Sequence, residues 1–495
     1  MKGMITTKLK SLFGAQDMTV GSPFKAMMKF AVPLLIGNVA QLMYNTADSI
    51  IVGKMLGSEA LASVGASAPI QNLFFVFFMT VGTGVTVMVS QYFGAKDKAR
   101  LSHAVGTAMV LTLAATLFIT VFGIPLAAPI LRATKVDPLI FGYANSYLRI
   151  IFAGAVGLGF YNVLSGILRG LGDSMFPLLV LLGTTVLNIV LDLLFVGPLG
   201  MEVAGAAWAT VISQFLSAAV CLIRLIKMRD VVEVNRDTIK PRREMVGYLL
   251  RIGLPSGVMQ GILSMSYVFV QSLINGIVVF DAAGVASYTI FVACNTAVTR
   301  VDAFAMLPNQ TFSMSGSTFA GQNIGAGRLD RVKQGVKITL AVSLTVSTIL
   351  LILIYIFGGD LIKMFIDVSH PDAPIIIQLG VRIQRIMVWC YIIMAVTQSV
   401  GGVMRGAGDT LPMMWITIVA TVGLRVPMAY LMVNLSKSPR YPGGNPDGIF
   451  LSMVICFGLA CAASVVYYKT GRWKKKALVE TQESTGKTGE VKRIS

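Results

Sequence analysis

Apolar residues run in blocks along almost the whole chain, broken by short polar segments. A helix rising 1.5 Å per residue needs about 20 apolar residues to cross the roughly 30 Å hydrocarbon core of a bilayer. Windows of that kind fall at 30–52, 69–92, 104–124, 138–167, 176–196 and 204–226. A second series falls at 249–279, 284–319, 335–357, 374–404, 412–433 and 448–468. The pattern predicts an all-α integral membrane protein with twelve transmembrane helices. The eighth window is the least regular, because it carries Asn309, Gln310 and several serines.

The polar breaks repeat. Gln91-Tyr-Phe-Gly94 returns as Gln322-Asn-Ile-Gly325, and Arg169-Gly-Leu-Gly-Asp-Ser174 returns as Arg405-Gly-Ala-Gly-Asp-Thr410. A proline follows each of the latter pair, at Pro177 and Pro412. Pro33 and Pro255 open the two first windows, and Arg149 matches Arg385. The chain therefore reads as two copies of a six-helix unit. An even number of crossings makes the copies parallel repeats, related by an axis along the membrane normal. The expected organisation is an N-terminal segment 1–29, an N-lobe 30–226, a linker 227–248, a C-lobe 249–468 and a basic tail 469–495. Two such lobes enclose a cavity, and rocking one against the other gives alternating access.

Composition adds that 55% of residues are apolar and only 13% charged, with a mean hydropathy of +0.75. That excludes a soluble multidomain enzyme, a disordered chain and a disulfide scaffold. The net charge of +18 would suggest nucleic acid in a soluble protein. Here it follows topology instead. With both termini in the cytoplasm, the cytoplasmic segments carry 27 Lys and Arg against 6 outside, as the positive-inside rule requires. The expected location is the inner (cytoplasmic) membrane. The first apolar run lacks a small-residue cleavage site and reads as a span, not a secretory signal. The five cysteines lie in apolar runs with no C-x-x-C pair and read as small buried side chains.

The sequence contains no H-E-x-x-H and no G-x-S-x-G motif. Gly486-Lys487-Thr488 is not a Walker A, because Thr481 stands where its first glycine belongs. No enzyme, no nucleic-acid partner and no cofactor is expected, and an ion or substrate gradient must supply the energy.

An acid inside a span costs several kcal/mol and is a functional candidate by default. The repeat sorts these acids. Asp173 and Asp409 match each other and sit in Gly-rich turns, so they read as turn and helix-end groups. Asp48 and Asp192 have no match, since their counterparts are Val270 and Pro427. Asn188 lies one turn before Asp192 on the same face, and Thr210 adds a hydroxyl. Asp48, Asn188 and Asp192 thus form a hard-oxygen set suited to Na⁺, or a proton carrier. The alternative is that either acid simply bonds neighbouring helices. Asp302 and Arg300 are two apart and cannot pair on one helix, so Asp302 is expected to contact another helix. Arg425 could partner an acid across the bundle. Gln41, Asn45, Gln260 and Asp302 are candidate cavity residues, and a subset of the 27 methionines and 26 phenylalanines would give adaptable walls.

Taken together, Tyr44-Asn-Thr-Ala-Asp48, the doubled Gln-x-x-Gly and Arg-Gly-x-Gly-Asp, Asn188 to Asp192 and Gly205-Ala-Ala-Trp-Ala-Thr210 resemble the prokaryotic multidrug and toxic compound extrusion (MATE) family over about residues 25–470. The resemblance implies two six-helix lobes in a V and efflux of amphipathic, often cationic compounds, driven by Na⁺ or H⁺. It implies a monomer in the lipid bilayer. It also assigns the N-lobe cation site to Asp48, Asn188, Asp192 and Thr210. Some members use acids in helices seven and ten; the matching stretches here, around Leu263 to Ser264 and Met394 to Val396, carry none. A flippase for lipid-linked oligosaccharide precursors, from the same superfamily, is the alternative, but such proteins often carry more spans and a strongly cationic cavity.

Overall fold

The computed structural model describes residues 14–281, 283–438, 441–476 and 478, so most of the basic tail lies outside the described residues. The chain is almost entirely helical. The N-lobe spans are Pro23–Leu56, Ser58–Gly94, Lys98–Ala133, a fourth in two pieces (Pro138–Ala153 and Ala155–Gly170), Met175–Val196 and Glu202–Lys227. The C-lobe spans are Arg243–Asn275, Thr289–Gly325, Leu329–Lys363, Ala373–Gly406, an eleventh running from Leu411 to Leu435, and Asp447–Lys469. Ten of these are long and apolar enough to cross a membrane, and the bent fourth makes eleven. Ser58–Gly94, 37 residues long, takes the second place in the repeat. At 1.5 Å per residue it reaches about 55 Å, so helices of this length tilt or project beyond the lipid.

Three local departures from the simple pattern occur, and the first two have a visible physical cause. The fourth span is not continuous: its halves meet at 53° across Gly154. A Cβ there would lie 2.2 Å from Val211 Cγ2, so the bend brings bare backbone against the sixth span. The eighth span starts at Thr289, not near 284, because Val279–Phe280 pairs antiparallel with Ala286–Ser287 in a small hairpin. The eleventh span changes at Val419–Arg425 into a π-helix before resuming at Val426.

Helix ends follow their sequence signals. Asp97 accepts from Arg100 N (2.9 Å), and Asp137 accepts from Leu139 N (2.9 Å) beside Pro138 at the first helical position. In the doubled Arg-Gly-x-Gly-Asp turns, Gly172 and Gly408 take φ +86° and +81°, a region that glycine enters without steric cost. Asp173 accepts from Phe176 N (3.0 Å), and Asp409 accepts from Tyr467 Oη (2.7 Å). Asp173 thus holds the start of the fifth span, as expected of a helix-end group, whereas Asp409 ties its turn to the twelfth span. The seventh span begins at Arg243, inside the expected linker. The shortened linker lies on the third span, where Lys98 bridges Glu233 (2.6 Å) and Arg242 meets His103 (2.6 Å).

The lobes meet along the second, seventh and eighth spans. Hydrogen bonds and close approaches between them run from mid-span, at Asn38–Thr311 (2.9 Å), to the face that carries the linker. A Cβ on Gly253 would lie 2.0 Å from Thr80 O, and one on Gly84 would lie 2.7 Å from Leu249 O. Met27, Phe30 and Leu34 of the first span pack with Phe319 of the eighth in one apolar cluster. Towards the opposite face, Met43 and Met265 are exposed.

Candidate functional site

The two unmatched acids of the N-lobe, Asp48 and Asp192, lie on the half of the bundle away from the linker. Asn188 and Asp192, one turn apart on the fifth span, are both completely buried. With the Asn188 amide oriented by its neighbours, Nδ2 donates to Asp192 Oδ2 (3.1 Å) and the amide oxygen accepts from Thr210 N (3.3 Å) on the sixth span. Asp48, from the first span, lies carboxyl to carboxyl beside Asp192. Two carboxyls so placed hold a proton between them or a cation beside them, because two bare negative charges side by side repel strongly in a low-dielectric interior. Asp48 Oδ1 and Asp192 Oδ1 are both buried and receive no donor.

Two tyrosines complete the wall. Tyr44, one turn before Asp48, is buried and its hydroxyl donates to Thr210 Oγ1 (3.4 Å). Tyr147, from the bent fourth span, is buried near both acids, with Gln71 of the second span beside it. Five of the six N-lobe spans therefore contribute to one oxygen-rich site. Carboxylate, amide and hydroxyl oxygens are hard donors that suit a small hard cation or a proton. No cluster of three or more His, Cys, Asp or Glu side chains occurs among the described residues, so a transition-metal centre is not the natural reading of this donor set.

The structure thus brings Asp48, Asn188, Asp192 and Thr210 together. Tyr44 is a site residue that the sequence reading missed, although its spacing, four before Asp48 on one helix face, is the signal that marks it. Tyr147 and Gln71 carry no such signal, since only the fold places them. The candidate cavity residues are not part of this cluster. Asn45 and Gln260 are exposed on the first and seventh spans, and Gln41 is half-buried. Asp302 lies in the C-lobe, where it accepts from Tyr391 Oη of the tenth span. Its partner is a helix neighbour, not Arg300. Arg425 makes no ion pair among the described residues. Its guanidinium lies over the rings of Tyr267 (5.2 Å) and Phe457 (5.9 Å) instead. The four cysteines 221, 294, 390 and 456 are buried thiols, and Cys461 is half-buried.

A polytopic helical protein of two repeated lobes, closed together at one face and holding an acid pair inside one lobe, is built as a membrane transporter. The MatE family model matches residues 33–194 and 255–431, once in each lobe, and the chain belongs to that family of membrane transporters. The chain is 28% identical over 466 residues to the probable multidrug resistance protein YoeA of Bacillus subtilis, covering 92% of this chain and 96% of that protein. It is 26% identical over 474 residues to the probable multidrug resistance protein NorM of Thermotoga maritima, covering 94% and 96%. A MATE crystallised in complex with MaL6 superposes with a TM-score of 0.83 at 25% identity, over 93% of this chain and 99% of that one.

Proposed function

We propose that this protein is a cation-coupled multidrug antiporter of a bacterial inner membrane, exporting amphipathic, often cationic compounds as a monomer by alternating access. The reading is carried by one observation: two unmatched carboxyls, Asp48 and Asp192, face each other inside an apolar lobe with Asn188 and Thr210 beside them. Such a pair binds H⁺ or Na⁺ and is costly to leave empty, so its occupancy can be linked to the arrangement of the spans that supply it. A cation entering from the opposite face would change the first and fifth spans and bias the lobe arrangement, and drug release would follow by population shift. The linker face is the cytoplasmic one on the distribution of Lys and Arg. The similarity to multidrug resistance proteins supports the substrate class.

Everted membrane vesicles test the reading. Cationic dye uptake driven by an imposed Na⁺ or proton gradient should fall at least tenfold in folded Asp48→Asn and Asp192→Asn variants. Parental uptake in both variants removes the proposed role.

A further inference from the structure

The repeated Gln-x-x-Gly motif is not used by the cation site, yet its two copies are among the most closely packed groups in the molecule. They lie at the linker face, where the second span crosses the eighth. A Cβ on Gly94 would lie 1.9 Å from Gln322 O, and one on Gly325 would lie 1.9 Å from Gln91 O. The glycines therefore bring each backbone against the glutamine of the other lobe. Both glutamine side chains are completely buried.

Their hydrogen bonds are reciprocal. Gln91 Nε2 donates to Gly406 O (2.8 Å), at the end of the tenth span in the C-lobe. Gln322 Nε2 donates to Gly170 O (3.2 Å), at the end of the fourth span in the N-lobe. Each amide oxygen accepts from the backbone of a terminal arm. Gln322 Oε1 accepts from Met18 N (2.8 Å), and Gln91 Oε1 accepts from Leu478 N (2.8 Å).

Each arm reaches from one lobe to the other. The N-terminal arm is tied to the N-lobe through Gln16 N, which donates to Leu171 O (3.0 Å). It then crosses to the C-lobe, where Arg328 donates to Thr19 O (2.7 Å) and Arg331 to Gly21 O (2.9 Å). The C-terminal arm is rooted in the C-lobe through buried Trp473, packed with Ile324, Val332 and Met404. It crosses to Gln91 of the N-lobe.

We propose that Gln91 and Gln322 are positioning residues of the transport cycle: a two-fold latch, bolted by the two terminal arms, that holds the linker face shut. Four hydrogen bonds, three buried and one partly buried, join the lobes through these two side chains. All four must break for the lobes to part at this face, and both arms must release their hold on the opposite lobe. The latch rests on the alternating-access reading given above, but not on the identity of the drug or the coupling cation.

Pulsed electron spin resonance distances test it without any substrate. Nitroxides on Ala99→Cys and Gln334→Cys, exposed at the start of the third and ninth spans, report separation across the linker face. The parent should show one dominant short-distance population. Gln91→Leu and Gln322→Leu each remove two interlobe bonds, and each should raise the ratio of long to short separations about tenfold or more. A chain ending at residue 477 removes the Leu478 bolt without touching any span and should shift the same way by less. Distances unchanged in all three proteins, with parental unfolding temperatures, overturn the latch. If a leucine variant fails to fold, the shortened chain alone decides. Shifted distances in a protein that moves no dye retain the latch and remove the antiporter reading; dye export with no shift in any variant removes the latch alone.

Discussion

The crossing of the second and eighth spans makes a quantitative prediction about two alanines. In ordinary van der Waals contact a Cβ sits at 3.4–4 Å from its neighbours, whereas Gly94 and Gly325 leave 1.9 Å to the opposing carbonyl oxygen. The difference from the short end of that range is 1.5 Å. The opposing atoms are backbone in both cases, so no side chain can swing aside, and the helices themselves must separate. Overpacking of this kind costs about 1–3 kcal/mol. The penalty falls on the arrangement in which the spans touch and is absent when the linker face opens. The open-to-closed ratio should therefore rise by roughly 5-fold to 150-fold in Gly94→Ala and in Gly325→Ala. Ser90, completely buried at the same crossing beside Gly321, supplies a reporter. The alkylation rate of a Ser90→Cys thiol in membranes follows the fraction of molecules opened there. Both alanine variants should raise that rate within the stated range, and by similar factors, because the two approaches are equally close. An unchanged rate in either, or a difference between them beyond about tenfold, refutes the reasoning.

Three further outcomes follow from individual side chains. Asp192→Asn keeps a polar partner for Asp48 and Asn188 and should unfold near the parental temperature, whereas Asp192→Leu leaves the Asn188 amide without its acceptor and should lose about 1–3 kcal/mol, read as a lower midpoint in detergent. Arg425→Met should leave the midpoint unchanged or raise it, because this buried cation has no ion-pair partner among the described residues and apolar replacement of buried charge is commonly neutral or stabilising; a large drop would contradict its description as unpaired. Gly106→Ala would place a Cβ 2.0 Å from Thr238 O and should lift the linker from the third span, seen as faster tryptic cleavage at Arg242 and Arg243 with the spans intact.

Much of this architecture was legible in the sequence because a membrane imposes one dominant constraint. Every backbone polar group in the hydrocarbon must be satisfied within its own helix, so apolar length alone locates spans such as Met175–Val196, observed within one residue of the expected start. The repeat was legible for a similar reason: Gly172 and Gly408 need positive φ, and Gln91 and Gln322 need an adjacent bare glycine, which keeps both motifs recognisable in each half. The acids stood out because they are rare and unmatched, and four of the site's side chains share two short motifs. What could not be read depends on contacts between distant segments. Tyr147 stands near the acids on the half-span that precedes the bend at Gly154, a placement set by the packing of the fourth span against the others. The π-helix at Val419–Arg425 leaves no compositional mark. Met18 and Leu478 find their glutamines from more than 300 residues away, and they act through backbone groups that every residue carries.

The proposed antiport requires that occupancy of the Asp48–Asp192 pair drive export. Its most direct test is ion movement, not drug movement. In proteoliposomes carrying purified protein, an outward gradient of a cationic dye should drive measurable uptake of Na⁺ or H⁺ by the parent. That flux should vanish in Asp48→Asn and in Asp192→Asn while dye binding persists. Dye-driven cation flux at the parental rate in both variants would contradict the account.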